Sequence, residues 1–123
     1  MPQAGPPEGY PTLARFTIIM LLLTDPDRSW THREIEEKTG IPQRRVSTAI
    51  QALSDSARVA RIGAYRNGAP CFQITNSGLA SCFRWISDHI SQDILKEMRR
   101  SPEGGAIADA YMQNLGARLE HKS

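Results

Sequence analysis

Six apolar residues follow one another from Ile18 to Leu23, with Phe16 just before them. A segment apolar at every position has no face suited to water, so as a helix it must be covered on most sides. Thr12 offers an N-cap hydroxyl before the run, and Asp25-Pro26 ends it, because the residue preceding a proline disfavours the helical region. These signals predict a first helix over residues 12–24. Its cover must come from the chain's own C-terminal part or from a second subunit.

Beyond it the pattern becomes periodic and punctuated. Thr31-His32-Arg33-Glu34 has the form of a capping box, which starts a short helix that runs to about Thr39. Gly40 suits the helix end, Ile41 is an apolar plug, and Pro42 suits the first position of a new helix. In that second helix, over 42–55, Val46, Ala49, Ile50 and Leu53 fall on one arc and are expected in the core. Two short alternating runs follow at 59–64 and 70–75, and the gap between them holds Asn67-Gly68, a strong hairpin signal because both residues tolerate positive φ. From 77 to 100, Leu79, Phe83, Ile86, Ile90, Ile94 and Met98 recur at steps of three or four, the spacing of one long helix. Ser101-Pro102-Glu103 starts a last helix carrying Ile107, Tyr111, Leu115 and Leu119.

Composition narrows the function classes. With 123 residues, 40% hydrophobic and 23% charged, the chain has the size and make-up of one globular domain. Residues 1–11 hold four prolines and two glycines, and are expected to form a disordered arm. The apolar run is shorter than the roughly 20 residues that span a bilayer, and its flanks are not those of an export signal, so no membrane partner and a cytoplasmic location are expected. Cys71 and Cys82 make no disulfide framework and read as small core residues; with His32, His89 and His121 widely spaced, no metal site or cofactor is expected. No phosphate loop, nucleophile elbow or metalloprotease motif occurs, so the chain is not expected to be an enzyme. Net charge is only +2, yet eight basic residues stand against four acids between Arg28 and Arg66. Positive charge is concentrated in the stretch of the two short helices and the hairpin, a distribution that suits a polyanionic partner.

The order of capped helix, Gly-turn, helix and Asn-Gly hairpin resembles the winged helix-turn-helix of bacterial and archaeal transcriptional regulators, most nearly the MarR, PadR and ArsR types. The resemblance rests on Thr31 to Pro42, on Arg45-Val46-Ser47-Thr48-Ala49-Ile50-Gln51-Ala52-Leu53, on the hairpin, and on Ile74-Thr75-Asn76-Ser77-Gly78. One departure is Ser56-Ala57-Arg58, where a glycine often follows the recognition helix. The resemblance covers about residues 12–80 and implies a mostly α fold with a small β-hairpin wing, to which the apolar spacing adds a C-terminal helical extension. The chain is then expected to divide into an arm at 1–11, a DNA-binding domain at 12–78 and C-terminal helices at 79–123 that form a dimerisation region.

The residues give the expected contacts. Arg44, Ser47, Thr48 and Gln51 point away from the core arc; Arg44 and Gln51 carry the forked groups that suit base edges, and Gln43 and Arg45 suit phosphates. Arg66, beside Asn67 at the hairpin tip, is expected to enter a minor groove or meet phosphate, with Arg61 the weaker candidate. Leu79, Phe83, Ile86, Ile90, Ile94 and Met98 are expected to form a homodimer interface, unless Ile107, Tyr111, Leu115 and Leu119 fold back over them. The expected function is that of a sequence-specific regulator, a repressor reading an approximate palindrome in double-stranded DNA. A winged-helix protein-interaction module and a plasmid or phage DNA-maintenance protein are the alternatives. The sequence names no small-molecule effector.

Overall fold

A computed structural model of the protein describes residues 9–122, with side chains described from Leu13 to Asn114 apart from Ala64. The sequence of elements is α1 (Gly9–Thr24), α2 (His32–Thr39), α3 (Gln43–Asp55), β1 (Val59–Arg66), β2 (Ala69–Ile74), α4 (Asn76–His89), α5 (Gln92–Met98) and α6 (Pro102–Lys122). The first helix begins at Gly9, three residues before the expected Thr12; the rest of the expected arm lies outside the described residues.

Helix α1 is the axis of the molecule. Every residue from Phe16 to Leu23 is buried, including Thr17, whose hydroxyl donates to the Leu13 carbonyl at 2.9 Å. The cover comes from within the chain: α6 packs along α1, with α2, α3, α4 and α5 around it. Ile107, Ala108 and Tyr111 of α6 belong to the same apolar core as Phe16, Ile35, Val46 and Ile86. Asn114 donates to the Thr24 carbonyl at 3.1 Å, which ties α6 to the far end of α1. Ile107 and Tyr111 thus lie in the chain's own core, the Tyr111 ring 6.4 Å from that of Phe83, while Leu115 and Leu119 lie outside the described side chains.

The expected continuous helix over 77–100 is broken. Ile90 and Ser91 are extended, and the Ser91 hydroxyl accepts from the Ile94 amide at 3.2 Å, so α5 starts on a cap of its own. The break turns the expected stripe: Ile86 and Met98 are buried within the chain, while Leu79, Phe83, Ile90 and Ile94 remain half-buried. Ile86 and Met98 are therefore core residues rather than interface residues.

The hairpin closes on Asn67 and Gly68, at φ 54° and 80°, so the loop is two residues long and the strands reach further than the sequence pattern suggested. Val59 pairs with Ile74 and Arg66 with Ala69, and the register shifts between Ile62 and Tyr65. Trp30 adds a one-residue third rung, exchanging two main-chain hydrogen bonds of 2.8 Å with Phe72.

Candidate nucleic-acid interface

The capping box forms as its sequence requires. Thr31 Oγ1 accepts from the Glu34 amide at 3.1 Å and Glu34 Oε1 accepts from the Thr31 amide at 3.0 Å, fixing the first turn of α2. At the other end Gly40 is left-handed, with φ 74°, and the Thr39 hydroxyl donates to Ile35 O at 2.7 Å while accepting from Ile41 N at 3.1 Å. This braced turn delivers the chain into α3 at a fixed angle.

Helix α3 divides cleanly. Val46, Ala49, Ile50 and Leu53 are buried, while Gln43, Arg44, Arg45, Ser47, Thr48 and Gln51 are exposed. Thr48 donates to the Arg44 carbonyl at 3.1 Å, and Gln51 Nε2 donates to Asp55 Oδ1 at 2.9 Å. A base edge presented to Gln51 must therefore compete with a solvent-exposed partner one helical turn away. Such an exposed hydrogen bond contributes little and exchanges readily with water.

The wing departs from expectation at Arg66. Because β1 extends to the turn, Arg66 is the last paired residue of the strand rather than part of a loop, and its side chain folds back onto the start of α2. Arg66 Nη1 donates to Glu34 Oε1 and Oε2 at 2.6 and 2.8 Å, and Nη2 donates to Ser29 Oγ at 3.1 Å. Burial alone would raise the Glu34 carboxyl, but hydrogen bonds from Arg66 and the Thr31 amide, with the charges of Arg66 and Arg28, bring it below the ordinary carboxylate range. Its hydrogen bond to Glu34, followed by the Glu34 charge, raises the Arg66 guanidinium above its usual value. Arg66 is thus engaged in an intramolecular ion pair, with its side chain still 42% exposed.

Arg61 and Tyr65 occupy the outer part of the same ribbon. Tyr65 is 60% exposed, the Arg61 guanidinium carbon lies 5.3 Å from its ring centroid, and Arg61 Nη2 donates to its phenol oxygen. Asn67 is exposed at the tip. Sequence reasoning missed Tyr65, since the first strand was expected to stop before it, and the signal that finds it is the strand register.

At the ribbon's base, Arg58 Nε donates to Ser81 Oγ at 2.9 Å, above a shallow groove of about 440 Å³ that Arg84, Trp85 and Asp88 also line. Cys71 and Cys82 are buried, and burial raises the Cys82 thiol despite the nearby charge of Arg58. Among the described residues no cluster of His, Cys, Asp and Glu could hold a metal ion.

No protein-family model matches the sequence, and no curated protein matches it. Solved structures do match. The apo form of MarR from E. coli superposes with a TM-score of 0.54 over 83% of this chain and 76% of that one, at 14% identity. This is a winged helix-turn-helix. A mutant of ZitR from Lactococcus lactis gives 0.53 over 89% and 83% of the two chains at 16% identity. The adhesin competence repressor AdcR from Streptococcus pyogenes gives 0.50 over 87% and 79% at 19% identity. Identities this low speak for a shared fold. The order α2, α3, β1, β2 is that of a helix-turn-helix followed by a wing, and the chain spans most of each of these three structures.

Proposed function

We propose that the protein is a transcriptional regulator, a repressor that binds double-stranded DNA through α3 and the wing. The observation that carries this reading is the exposed face of α3. Six exposed positions between Gln43 and Gln51 offer two arginines, two amides and two hydroxyls, with no acid until Asp55, on a helix whose opposite face is packed. Arg44 and Gln51 are the readers of base edges in this reading; Gln43 and Arg45 contact phosphates, and Ser47 and Thr48 allow close approach. The likeness to a protein named as a repressor supports it. A non-enzymatic role and a cytoplasmic, nucleoid-associated place go with it; no helix among the described residues is long and apolar enough to cross a membrane.

Reading an approximate palindrome requires two copies, and the half-buried Leu79, Phe83, Ile90 and Ile94 are the proposed seam. The region from residue 79 onward then serves twice, packing α1 within its own chain and meeting the second copy. The test is titration of the purified chain with random duplex at two salt concentrations, then selection of a preferred sequence from a random pool. A steep negative salt slope and a recovered consensus are expected. A slope near zero refutes DNA binding and favours a protein-interaction module.

A further inference from the structure

Three contacts fasten the wing to the start of α2. Trp30 and Phe72 exchange main-chain hydrogen bonds, the His32 ring stacks on Phe72 at 4.9 Å and 3°, and Arg66 grips Glu34. The third has a particular design, because the Glu34 carboxylate that Arg66 holds also closes the capping box of α2. One side chain thereby fixes the first turn of the helix-turn-helix and the last paired residue of the wing. Arg66 also reaches Ser29, through its hydroxyl and, at 3.4 Å, its carbonyl. Further out, Tyr65 is among the few large apolar side chains left exposed in the described residues, and it keeps Arg61 company by hydrogen bond and ring. A guanidinium already steadied by a phenol loses less freedom when it meets a phosphate.

On the DNA-binding reading above, we infer that Arg66 is a positioning residue, aiming the wing through Glu34, and that Arg61, steadied by Tyr65, is the wing's contact with backbone phosphate. Glu34 gives the sharpest test. Glu34→Gln keeps an acceptor for the capping box, so the helix start survives, but it removes the charge that holds Arg66. It also removes a negative charge beside the DNA, so electrostatics alone would tighten binding. The positioning role expects the opposite: binding weaker by roughly three- to tenfold, the cost of ordering a loosened wing.

The experiment uses the full chain and a labelled duplex carrying the selected site, titrated across a salt series. Arg66→Ala should weaken binding with the salt slope unchanged, and the Glu34→Gln/Arg66→Ala double variant should lose no more than the worse single. Arg61→Ala should lower the slope by about one unit. Circular dichroism melting of each variant separates a lost fold from a loosened wing. Tighter binding by Glu34→Gln, or a slope lowered by Arg66→Ala, overturns the positioning role; an unchanged slope in Arg61→Ala overturns the phosphate contact. A wild-type chain that binds no duplex overturns the DNA-binding reading itself, and this inference with it.

Discussion

Gly78 sits where α4 begins, and a side chain there has nowhere to go. A Cβ built on Gly78 would lie 2.0 Å from the Arg58 carbonyl oxygen and 2.7 Å from that residue's carbonyl carbon and Cα, all of them backbone atoms. A tolerable carbon to oxygen contact needs about 3.3 Å, so Gly78→Ala must push the first turn of α4 and the start of β1 apart by roughly 1.3 Å. That separation attacks a joint. The Arg58 carbonyl accepts from the Thr75 amide at 3.0 Å and from its hydroxyl at 3.2 Å, and Thr75 Oγ1 is in turn the N-cap acceptor for the Gly78 amide at 2.8 Å. Overpacking costs about 1 to 3 kcal/mol and each weakened hydrogen bond about 1, while alanine recovers about 1 through its better helix propensity. The expected net loss is about 3 kcal/mol, out of the total of about 5 to 15 typical of a domain. For a chain of this length that lowers the melting temperature by roughly 10 °C, readable by calorimetry or by circular dichroism at 222 nm. Asn76→Ala, at the exposed position two residues earlier, is the control and should stay close to wild type. A Gly78→Ala protein melting within about 3 °C of wild type would show that the Arg58–Gly78 contact relaxes freely and that the joint is not rigid.

Ala57 is left-handed at φ 62° in the turn that ends α3, so Ala57→Gly should relieve about 1 to 2 kcal/mol of strain, lose about half of that to unfolded-state entropy, and raise the melting temperature by a few degrees. Arg44→Ala or Gln51→Ala should cost about 1 to 3 kcal/mol of specific binding and relax the preference at one base pair per half-site, as read by selection from a random pool. Burial holds the His32 imidazole below its ordinary pKa, and its Nε2 is buried without a hydrogen-bond partner among the described residues. The unfolded chain therefore takes up that proton first. The stability of neutral His32 is present above the ordinary histidine value and is lost as pH falls through the lower folded value, so melting temperature should drop across that window and His32→Gln should flatten the drop. Sedimentation equilibrium at micromolar concentration should report a dimer that Phe83→Asp dissociates, and a clean monomer mass for wild type would refute the α4 seam.

What could be read from the sequence was chemistry confined to a few adjacent residues. Thr31 and Glu34 cap each other, Gly40 turns left-handed, and Asn67-Gly68 closes the hairpin, because each outcome is decided within one turn of chain. The buried face of α3 was legible for the same reason: Val46, Ala49, Ile50 and Leu53 need only helical spacing to share an arc. The helix break at Ile90 and Ser91 was hidden, since Ile86, Ile90, Ile94 and Met98 keep a four-residue step across it. Periodicity cannot see that the Ser91 hydroxyl outcompetes helix continuation for the Ile94 amide. The Arg66–Glu34 ion pair was hidden because the two residues lie 32 positions apart and the strand register, not the local sequence, brings them together. Even the missing glycine at Ser56-Ala57-Arg58 has a local reading once the backbone is known. Ala57 adopts the conformation a glycine would take, with its amide donating to Ser54 O at 3.0 Å and the Arg58 amide to Leu53 O at 2.9 Å.

The wing is held at both of its ends, and this bears on the DNA binding proposed above. At its base, the Arg58 carbonyl binds Thr75 and the Arg58 side chain binds Ser81, so the end of α3, the start of β1 and the first turns of α4 move together. At its tip, Arg66 returns to Glu34 and thereby to α2. A two-stranded hairpin alone is marginally stable in water, and a wing free to swing would have to be ordered each time it met a groove. Here that ordering is largely done in advance by the fold. Both fastenings end on elements that pack against α1, which in turn is packed by α6, so the C-terminal helix is linked to α3 and the wing through the core. Loosening α6 should therefore be felt first at the angle between α3 and the wing, and an affinity loss in an α6 core variant such as Ile107→Ala should fall on the selected site more than on random duplex.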